Sequence, residues 1–131
     1  TPEDDSLRMD RARLLLGLGE IQGAGIEAAA LCVPGRELFA EALQLVLEAA
    51  GKLLKAGRSD EALLVLDATA PHGHRNPDVC EAIASAETQR DRLPSARRWL
   101  VHTLSLDPLR QRARQRLGQL EDLMGIARSI Q

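Results

Sequence analysis

The chain has 131 residues and a formal net charge of −2, with 27% charged and 44% hydrophobic residues. This length suits one compact domain. The proportion of charged to hydrophobic residues excludes global disorder. The small net charge excludes a strong overall electrostatic field that would attract nucleic acid or acidic membranes. Only 2% of the residues are aromatic, whereas the strong helix formers Ala, Leu, Glu, Gln and Arg are abundant. The composition therefore predicts an all-α fold, with neither nucleic acid nor a membrane as its partner.

The first third of the chain predicts one helix and an irregular continuation. An acidic run before Leu7 is typical of a helix start. Five apolar residues then recur at helical spacing and predict an apolar stripe, namely Leu7, Leu14, Leu15, Leu18 and Ile21. We expect Gly23 and Gly25 to end this helix, and Pro34-Gly35 to end the short apolar piece that follows.

The middle of the chain contains its most apolar stretch, residues 36–56, which predicts a helix covered on more than one side. Gly57 is expected to end this helix, and Ser59 to act as the N-cap of the next one, which ends near Ala70-Pro71. Pro77 suits the first turn of a further helix.

The last part of the chain predicts two more helices, one from Ser95 to Leu106 and one from about Leu109 to Leu123, with an extension toward Ile130. All the connections are short, and short connections make neighbouring helices antiparallel. The chain is therefore expected to be a succession of helix pairs.

A 34-residue spacing relates these pairs to one another. Small residues recur at this interval where helices are expected to cross closely, and larger apolar residues recur where they fill the gap between pairs. The small residues are Ala50, Ala84 and Gly118, together with Ala62 and Ala96; the larger ones include Ile83 and Leu117, and Leu66 and Leu100; the turn residues are Gly57 and Asp91.

The unit 77–110 resembles a tetratricopeptide repeat. It carries Ile83-Ala84 in its first helix and closes on Leu106-Asp107-Pro108, the most recognisable ending of that family. The unit 43–76 resembles it less closely because it closes on Pro71-His72-Gly73-His74. Residues 111–131, with Leu117-Gly118, resemble the terminal capping helix of such an array. Residues 1–42 resemble a degenerate unit in which Ala28 keeps the 34-residue spacing.

This resemblance implies a single domain built as a right-handed α-solenoid of antiparallel helix hairpins, and a non-catalytic module without a cofactor that binds a protein partner. A peptide or a helix would lie in its concave groove. The groove positions implied by the family are Gln44, Leu47, Glu48 and Gly51 in the first unit; Asp78, Glu81, Ala82, Ser85 and Gln89 in the second; and Arg112, Gln115, Arg116 and Gln119 in the capping helix. Leu47, Gly51 and Ala82 occupy slots that hold carboxylate-clamp residues in one subfamily, so no such clamp is expected.

Side chains with possible chemistry have simpler interpretations. His72 and His74 could contribute to a metal site, but a site needs three or four ligands, so a polar loop without metal is expected. His102, Ser105 and Asp107 lie together at a helix end, where Ser and Asp commonly satisfy backbone groups, and we predict no catalytic residue and no enzyme. Cys32 and Cys80 are expected to be buried thiols, although spacing alone leaves a disulfide open.

The arginines at positions 110, 112, 114 and 116 form the most pointed charge feature. A solvated helix surface is the simplest interpretation, and binding of an anion or a carboxylate is the alternative. Binding of RNA or DNA is a weaker one, because aromatic stacking partners are scarce.

The Ala-, Leu- and Arg-rich composition suggests a bacterial protein, and the reduced thiols expected at Cys32 and Cys80 suggest a cytoplasmic one. Besides a general interaction module, the chain could be a small chaperone for an export or assembly substrate, or a docking or regulatory domain of a larger enzyme; its start at Thr1 suggests an excised or processed chain. Packing of the irregular N-terminal region in trans would give a homodimer.

Overall fold

The computed structural model describes residues 2–125, which form seven α-helices, one short 3-10 helix and, within that range, no strand. The helices are α1 (Pro2–Gly17), α2 (Ile21–Ala29), α3 (Phe39–Lys55), α4 (Ser59–Asp67), α5 (Pro77–Gln89), α6 (Leu93–Leu106) and α7 (Gln111–Met124), and the 3-10 helix is Gly73–Arg75. The all-α prediction is confirmed. The predicted extension to Ile130 lies outside the described residues. None of the seven helices is both long and apolar enough to cross a membrane.

The ends of the helices follow their local sequence most closely at α5. Pro77 is its first residue, as predicted, and the Asn76 side-chain oxygen accepts hydrogen bonds from the backbone N–H groups of Asp78 (2.8 Å) and Val79 (3.2 Å). The prediction that Ser59 caps α4 is wrong, because Arg58 occupies the cap position and makes no side-chain capping bond.

Three turns share one backbone conformation. Gly19, Gly57 and Asp91 have φ angles of +84°, +75° and +60°, immediately after α1, α3 and α5. In each turn the backbone N–H of the residue after the left-handed one donates to the carbonyl oxygen five residues before it, which is a common way for a helix to end. These hydrogen bonds run from Glu20 to Leu15, from Arg58 to Leu53 and from Arg92 to Glu87. Gly125 takes a φ of +73° after α7. The last three of these left-handed residues, at 57, 91 and 125, follow one another at the 34-residue spacing found in the sequence.

The first helix pair differs from the expectation in two ways. Gly23 and Gly25 lie inside α2 instead of ending a helix. The turn residues Gly19 and Gly57 also lie farther apart along the chain than Gly57 and Asp91 do, because α3 has 17 residues where α5 has 13. Ala24, rather than Ala28, is therefore equivalent to Ala62: each of these two N–H groups donates to the residue that follows the left-handed turn position.

The predicted stripe on α1 faces the solvent over most of its length. Leu7, Leu14 and Leu18 are 64%, 63% and 68% exposed, whereas Met9 and Ala12 are buried. The reason is that α1 packs mainly on α2, with a smaller contact to α3. A first helix with neighbours on one side only buries one narrow face, and Met9 and Ala12 form that face.

The core runs through the molecule as neighbouring helices pack in chain order, with additional contacts between α2 and α4 and between α3 and α5. Ala50 and Ala84 are buried, as the spacing predicted. Gly118 is exposed, and a Cβ built on it would meet nothing within 4 Å, so the prediction of a close crossing there is wrong. The same face of α7 carries the exposed Arg114, at the position of the buried Cys80, and no described helix covers it.

Candidate functional site

One face of α3, α5 and α7 lines a surface groove of about 400 Å³. We call it the α5 groove, because α5 runs along its centre. Its lining residues are Gly51, Leu54 and Lys55 from α3; Asp78, Glu81, Ala82, Ser85 and Gln89 from α5; and Arg112 and Arg116 from α7. The structure thus brings together eight of the thirteen residues predicted for the binding groove: Gly51, Asp78, Glu81, Ala82, Ser85, Gln89, Arg112 and Arg116.

The other five predicted residues lie elsewhere. Gln44 and Glu48 line a separate depression between α1 and α3. Leu47 is partly buried and packs against the core, and it does not line the α5 groove. Gln115 is exposed on α7, and Gln119 lines a cleft farther along α7. The predicted surface is therefore divided between two depressions and a cleft.

The number of residues per turn of an α-helix explains why the lining residues of α5 share a face. On α5 the residues Asp78, Ala82, Ser85 and Gln89 are spaced four, three and four apart, which places them on one side of the helix. The same 34-residue step leads from Asp78 to Arg112 and from Ala82 to Arg116 on α7. Positions of α5 and α7 that are one 34-residue step apart therefore line the same groove.

Arg110, which was not predicted to belong to the site, forms ion pairs with both acids of the groove. Its guanidinium donates to Glu81 Oε1 at 2.7 Å, to Asp78 Oδ1 at 2.8 Å and to Asp107 Oδ2 at 3.2 Å. Burial lowers the pKa of Arg110, but the hydrogen bonds to these carboxylates outweigh that effect and raise it. Arg110 therefore stays charged, and Asp78 and Glu81 are already paired.

A second arginine links α7 to α5. Arg116 Nη1 donates to Ser85 Oγ at 2.8 Å and lies 3.7 Å from Glu81 Oε2. That carboxylate oxygen is buried and makes no hydrogen bond within the described part of the chain. The Arg116 side chain remains 36% exposed, and a guanidinium has five N–H donors, so it keeps donors for a further acceptor.

Two more cations of the groove have no carboxylate partner. Lys55 and Arg112 are exposed, and neither forms an ion pair within residues 2–125. Since the acids are paired with Arg110, the accessible charge of the groove is positive. Its chemistry suits recognition of carboxylate groups.

The other chemical candidates have structural surroundings. The His74 ring packs edge-on against Trp99 with centroids 5.0 Å apart, and no group of three or more metal-ligating side chains occurs in the part of the chain that the structure describes. Ser105 Oγ donates to the backbone oxygen of His102, while Asp107 accepts from Arg110. These side chains are therefore not arranged as a proton relay.

The two cysteines are free and buried, so the structure forms no disulfide between them. Burial raises the pKa of Cys32 and of Cys80 to about 11, because an apolar environment disfavours the thiolate. Both thiols are therefore neutral at physiological pH, and both belong to the packed interior rather than to a reactive site.

Comparison of the chain with protein-family models, with curated proteins and with solved structures gives no match. The described residues define an all-helical protein with a positively charged surface groove formed by three helices in equivalent positions.

Proposed function

We propose that the chain is a helical-repeat module, similar to the tetratricopeptide repeats, that binds a peptide or helix of a protein partner in the α5 groove and catalyses no reaction. In this proposal α3–α4 and α5–α6 are two hairpins of a right-handed α-solenoid and correspond to the units 43–76 and 77–110, although α3 already begins at Phe39. Helix α7 caps the array within residues 111–131, and α1–α2 is an irregular first unit within residues 1–42. A bacterial, cytoplasmic setting belongs to the same proposal.

The repeat is supported by the turns rather than by residue type alone. Gly57, Asp91 and Gly125 have the same left-handed conformation at equal spacing. Asp91 stands where the preceding hairpin has Gly57, and it accepts a φ of +60° that non-glycine residues rarely adopt. Gly57 adopts this conformation without steric cost, whereas Asp91 adopts it at a cost. That Asp91 nevertheless keeps the conformation supports the view that the two turns are equivalent.

The observation that carries the binding proposal is that equivalent faces of three successive first helices line one groove. Gly51 forms part of its surface, and a Cβ at that position would meet nothing within 4 Å. No side chain therefore covers the backbone of α3 at Gly51, and the backbone of a partner can approach closely there. Lys55 and Arg112 supply its unpaired charge.

The test uses matched variants in a capture experiment from a lysate of the source organism, read by mass spectrometry. Gly51→Trp fills the groove, and Gly118→Trp places the same side chain at another exposed helical glycine outside it. Arg112→Glu reverses a groove charge, and Arg114→Glu reverses an exposed charge that does not line the groove.

We expect a protein captured by the wild type and by both control variants to be lost from Gly51→Trp and reduced with Arg112→Glu, while the melting temperatures of the folded variants agree. Equal capture by all five proteins would show that the partner binds another surface.

Two versions of the proposal differ in the partner. It is either an amphipathic helix of an export or assembly substrate, or an enzyme that this chain docks or regulates. The identity of the captured protein separates them.

Self-association is a second candidate, favoured by α1. Leu7, Leu14 and Leu18 are spaced seven and four apart, so they lie on one face of the helix, and each is more than 60% exposed. We expect light scattering to give a mass above the 14.3 kDa of one chain. Leu14→Glu should restore the single-chain mass, and Leu64→Glu, at an exposed leucine of α4, should not. A wild-type monomer at high concentration excludes this candidate.

A further inference from the structure

A separate cleft of about 290 Å³ opens beside the α5 groove, between α5 and α7. It is lined by Ala84, Ser85 and Thr88 of α5, Leu100 of α6, and Arg116, Gln119, Leu120 and Leu123 of α7. Ser85 and Arg116 line both depressions. The hydrogen-bonded pair of Ser85 and Arg116 therefore lies on the boundary that the cleft shares with the groove.

The equivalent gap between α3 and α5 is the α5 groove itself, because its lining residues Gly51, Leu54, Ala82, Ser85 and Gln89 stand 34 residues before Ser85, Thr88, Arg116, Gln119 and Leu123 of the cleft. Comparing the two gaps shows how the sequence shapes the cleft. Toward α3, helix α5 presents Ala82, Ser85 and Ala86, which are small. At the equivalent positions of the next unit, α7 presents Arg116, Gln119 and Leu120. Bulky residues keep helices apart, and α3 does pack more closely on α5 than α5 packs on α7.

A difference in side-chain size between equivalent positions of α3 and α5 leaves the cleft without a large side chain. Leu54 of α3 is partly buried and packs against the core. Its equivalent on α5 is Thr88, a shorter side chain that is exposed and whose hydroxyl donates to Ala84 O at 2.8 Å. The sequence of α7 thus widens the gap, and that of α5 provides no large side chain to occupy it.

The cleft combines an apolar interior with a basic edge. Leu100 and Leu120 are buried at its base, and Leu123 of α7 is 75% exposed at its rim. Arg116 is held at the boundary with the groove by Ser85, and its nearest carboxylate, Glu81, already pairs with Arg110. An exposed leucine beside an arginine with spare donors is a site for a ligand that is apolar and acidic at once.

We propose that this cleft receives one large apolar side chain of the bound partner, of the size of leucine or phenylalanine, and that an Asp or Glu beside it on the partner pairs with Arg116. The cleft volume lies at the lower limit of ligand pockets, roughly 300 Å³, which suits a side chain better than a whole small molecule. The inference rests on the proposed function, since it specifies which peptide the α5 groove selects.

The test is a selection of random twelve-residue peptides displayed on phage, followed by titration of synthetic peptides against variants. Thr88→Leu places in the cleft the residue that α3 carries at the equivalent position. Thr88→Val is the matched control, because it keeps the shape of threonine. Leucine is a better helix former than threonine, so Thr88→Leu is expected to fold, and circular dichroism checks this.

We expect the selected peptides to carry a large apolar residue within two positions of Asp or Glu. Thr88→Leu should weaken their binding at least tenfold, and Thr88→Val less than threefold. Arg116→Gln should weaken binding of the acidic peptide but not of its Gln or Asn counterpart. The last comparison separates a charge contact from a loss of structure.

The outcomes distinguish the two proposals. If Gly51→Trp abolishes binding while Thr88→Leu leaves it unchanged, the groove binds peptides and the cleft proposal is wrong. If the selected peptides lack the apolar residue, the cleft proposal is also wrong. A selection that gives no binder, or binders insensitive to both variants, contradicts the proposed function together with the cleft.

Discussion

The two glycines inside α2 allow a sharp test of how the first two helix pairs are packed. A Cβ added to Gly25 would lie 2.5 and 2.8 Å from the two Cγ atoms of Val65 on α4, whereas one added to Gly23 would meet its nearest neighbour, a Leu15 methyl, at 3.8 Å. Replacing either residue by Ala makes the same chemical change in the same helix. Only the change at Gly25 creates a collision.

The magnitudes follow from two opposing effects. Ala in a helix interior is more favourable than Gly by about 0.8–1.0 kcal/mol, and both variants gain this. Val65 is fully buried in α4, and a β-branched residue in a helix has essentially one χ1 rotamer, so it cannot turn away and α2 must shift. Overpacking of this kind costs about 1–3 kcal/mol. Gly23→Ala should therefore be about 1 kcal/mol more stable than the wild type, and Gly25→Ala about 0–2 kcal/mol less stable.

Urea unfolding followed by far-UV circular dichroism measures both changes. The double variant Gly25→Ala, Val65→Ala tests the cause, because shortening Val65 removes the collision; the two substitutions should then couple favourably by about 1 kcal/mol or more. If Gly25→Ala stabilises the protein as much as Gly23→Ala does, α2 does not contact α4 through this glycine, and the packing of the first pair described above is wrong.

Three further predictions concern single contacts. Asn76→Ala removes the cap of α5 and should lower the free energy of unfolding by about 1 kcal/mol, measured by urea unfolding; an unchanged value would mean that the observed capping bonds do not stabilise the helix. Arg110→Met leaves the nearly buried Glu81 without its 2.7 Å partner and should lower the free energy of unfolding by about 1–3 kcal/mol. The double variant Arg110→Met, Glu81→Met should recover much of this loss, since an apolar pair can replace a buried ion pair. A double variant that is no more stable than Arg110→Met would contradict this explanation. Because burial raises the pKa of Cys32 and Cys80 from 9.0 to about 11, the unfolded state releases thiol protons at lower pH than the folded state. The free energy of unfolding should therefore fall as the pH rises from about 9 to about 11, by on the order of 2 kcal/mol per thiol; Cys32→Ala with Cys80→Ala should flatten this dependence, and an equal fall in that variant would assign it to other groups.

Sequence patterns predicted what depends on neighbouring residues along the chain. The start of α5 is encoded by Pro77, and the left-handed turn that follows α3 by Gly57. Most of the α5 and α7 positions that the family resemblance implied for the groove line the α5 groove in the structure, although their role in binding stays a prediction. These successes share a cause, since helix phase is fixed by counting residues along one chain.

The failures depend on contacts between segments that are distant in sequence. A glycine inside a helix usually weakens it, so Gly25 was expected to end one, but close packing against α4 requires it there. The role of Arg110 rests on partners 29 and 32 residues away, which no local pattern indicates. Apolar periodicity located a stripe on α1, but whether Leu14 is buried depends on which helices cover it.

The two ends of the described chain differ in a way that bears on function. At the C-terminal end of the described chain, the face of α7 equivalent to the buried side of α5 carries Arg114 and Gly118, both exposed. A polar outer face of this kind is what the proposed capping role of α7 requires. At the N-terminal end, α1 leaves Leu14 and its two companions exposed. Burial of such a stripe is favourable by about 25 cal/mol per Å², and none of its leucines lines the α5 groove. The two proposed interactions, self-association through α1 and peptide binding in the α5 groove, would therefore use separate surfaces, so that one would not block the other.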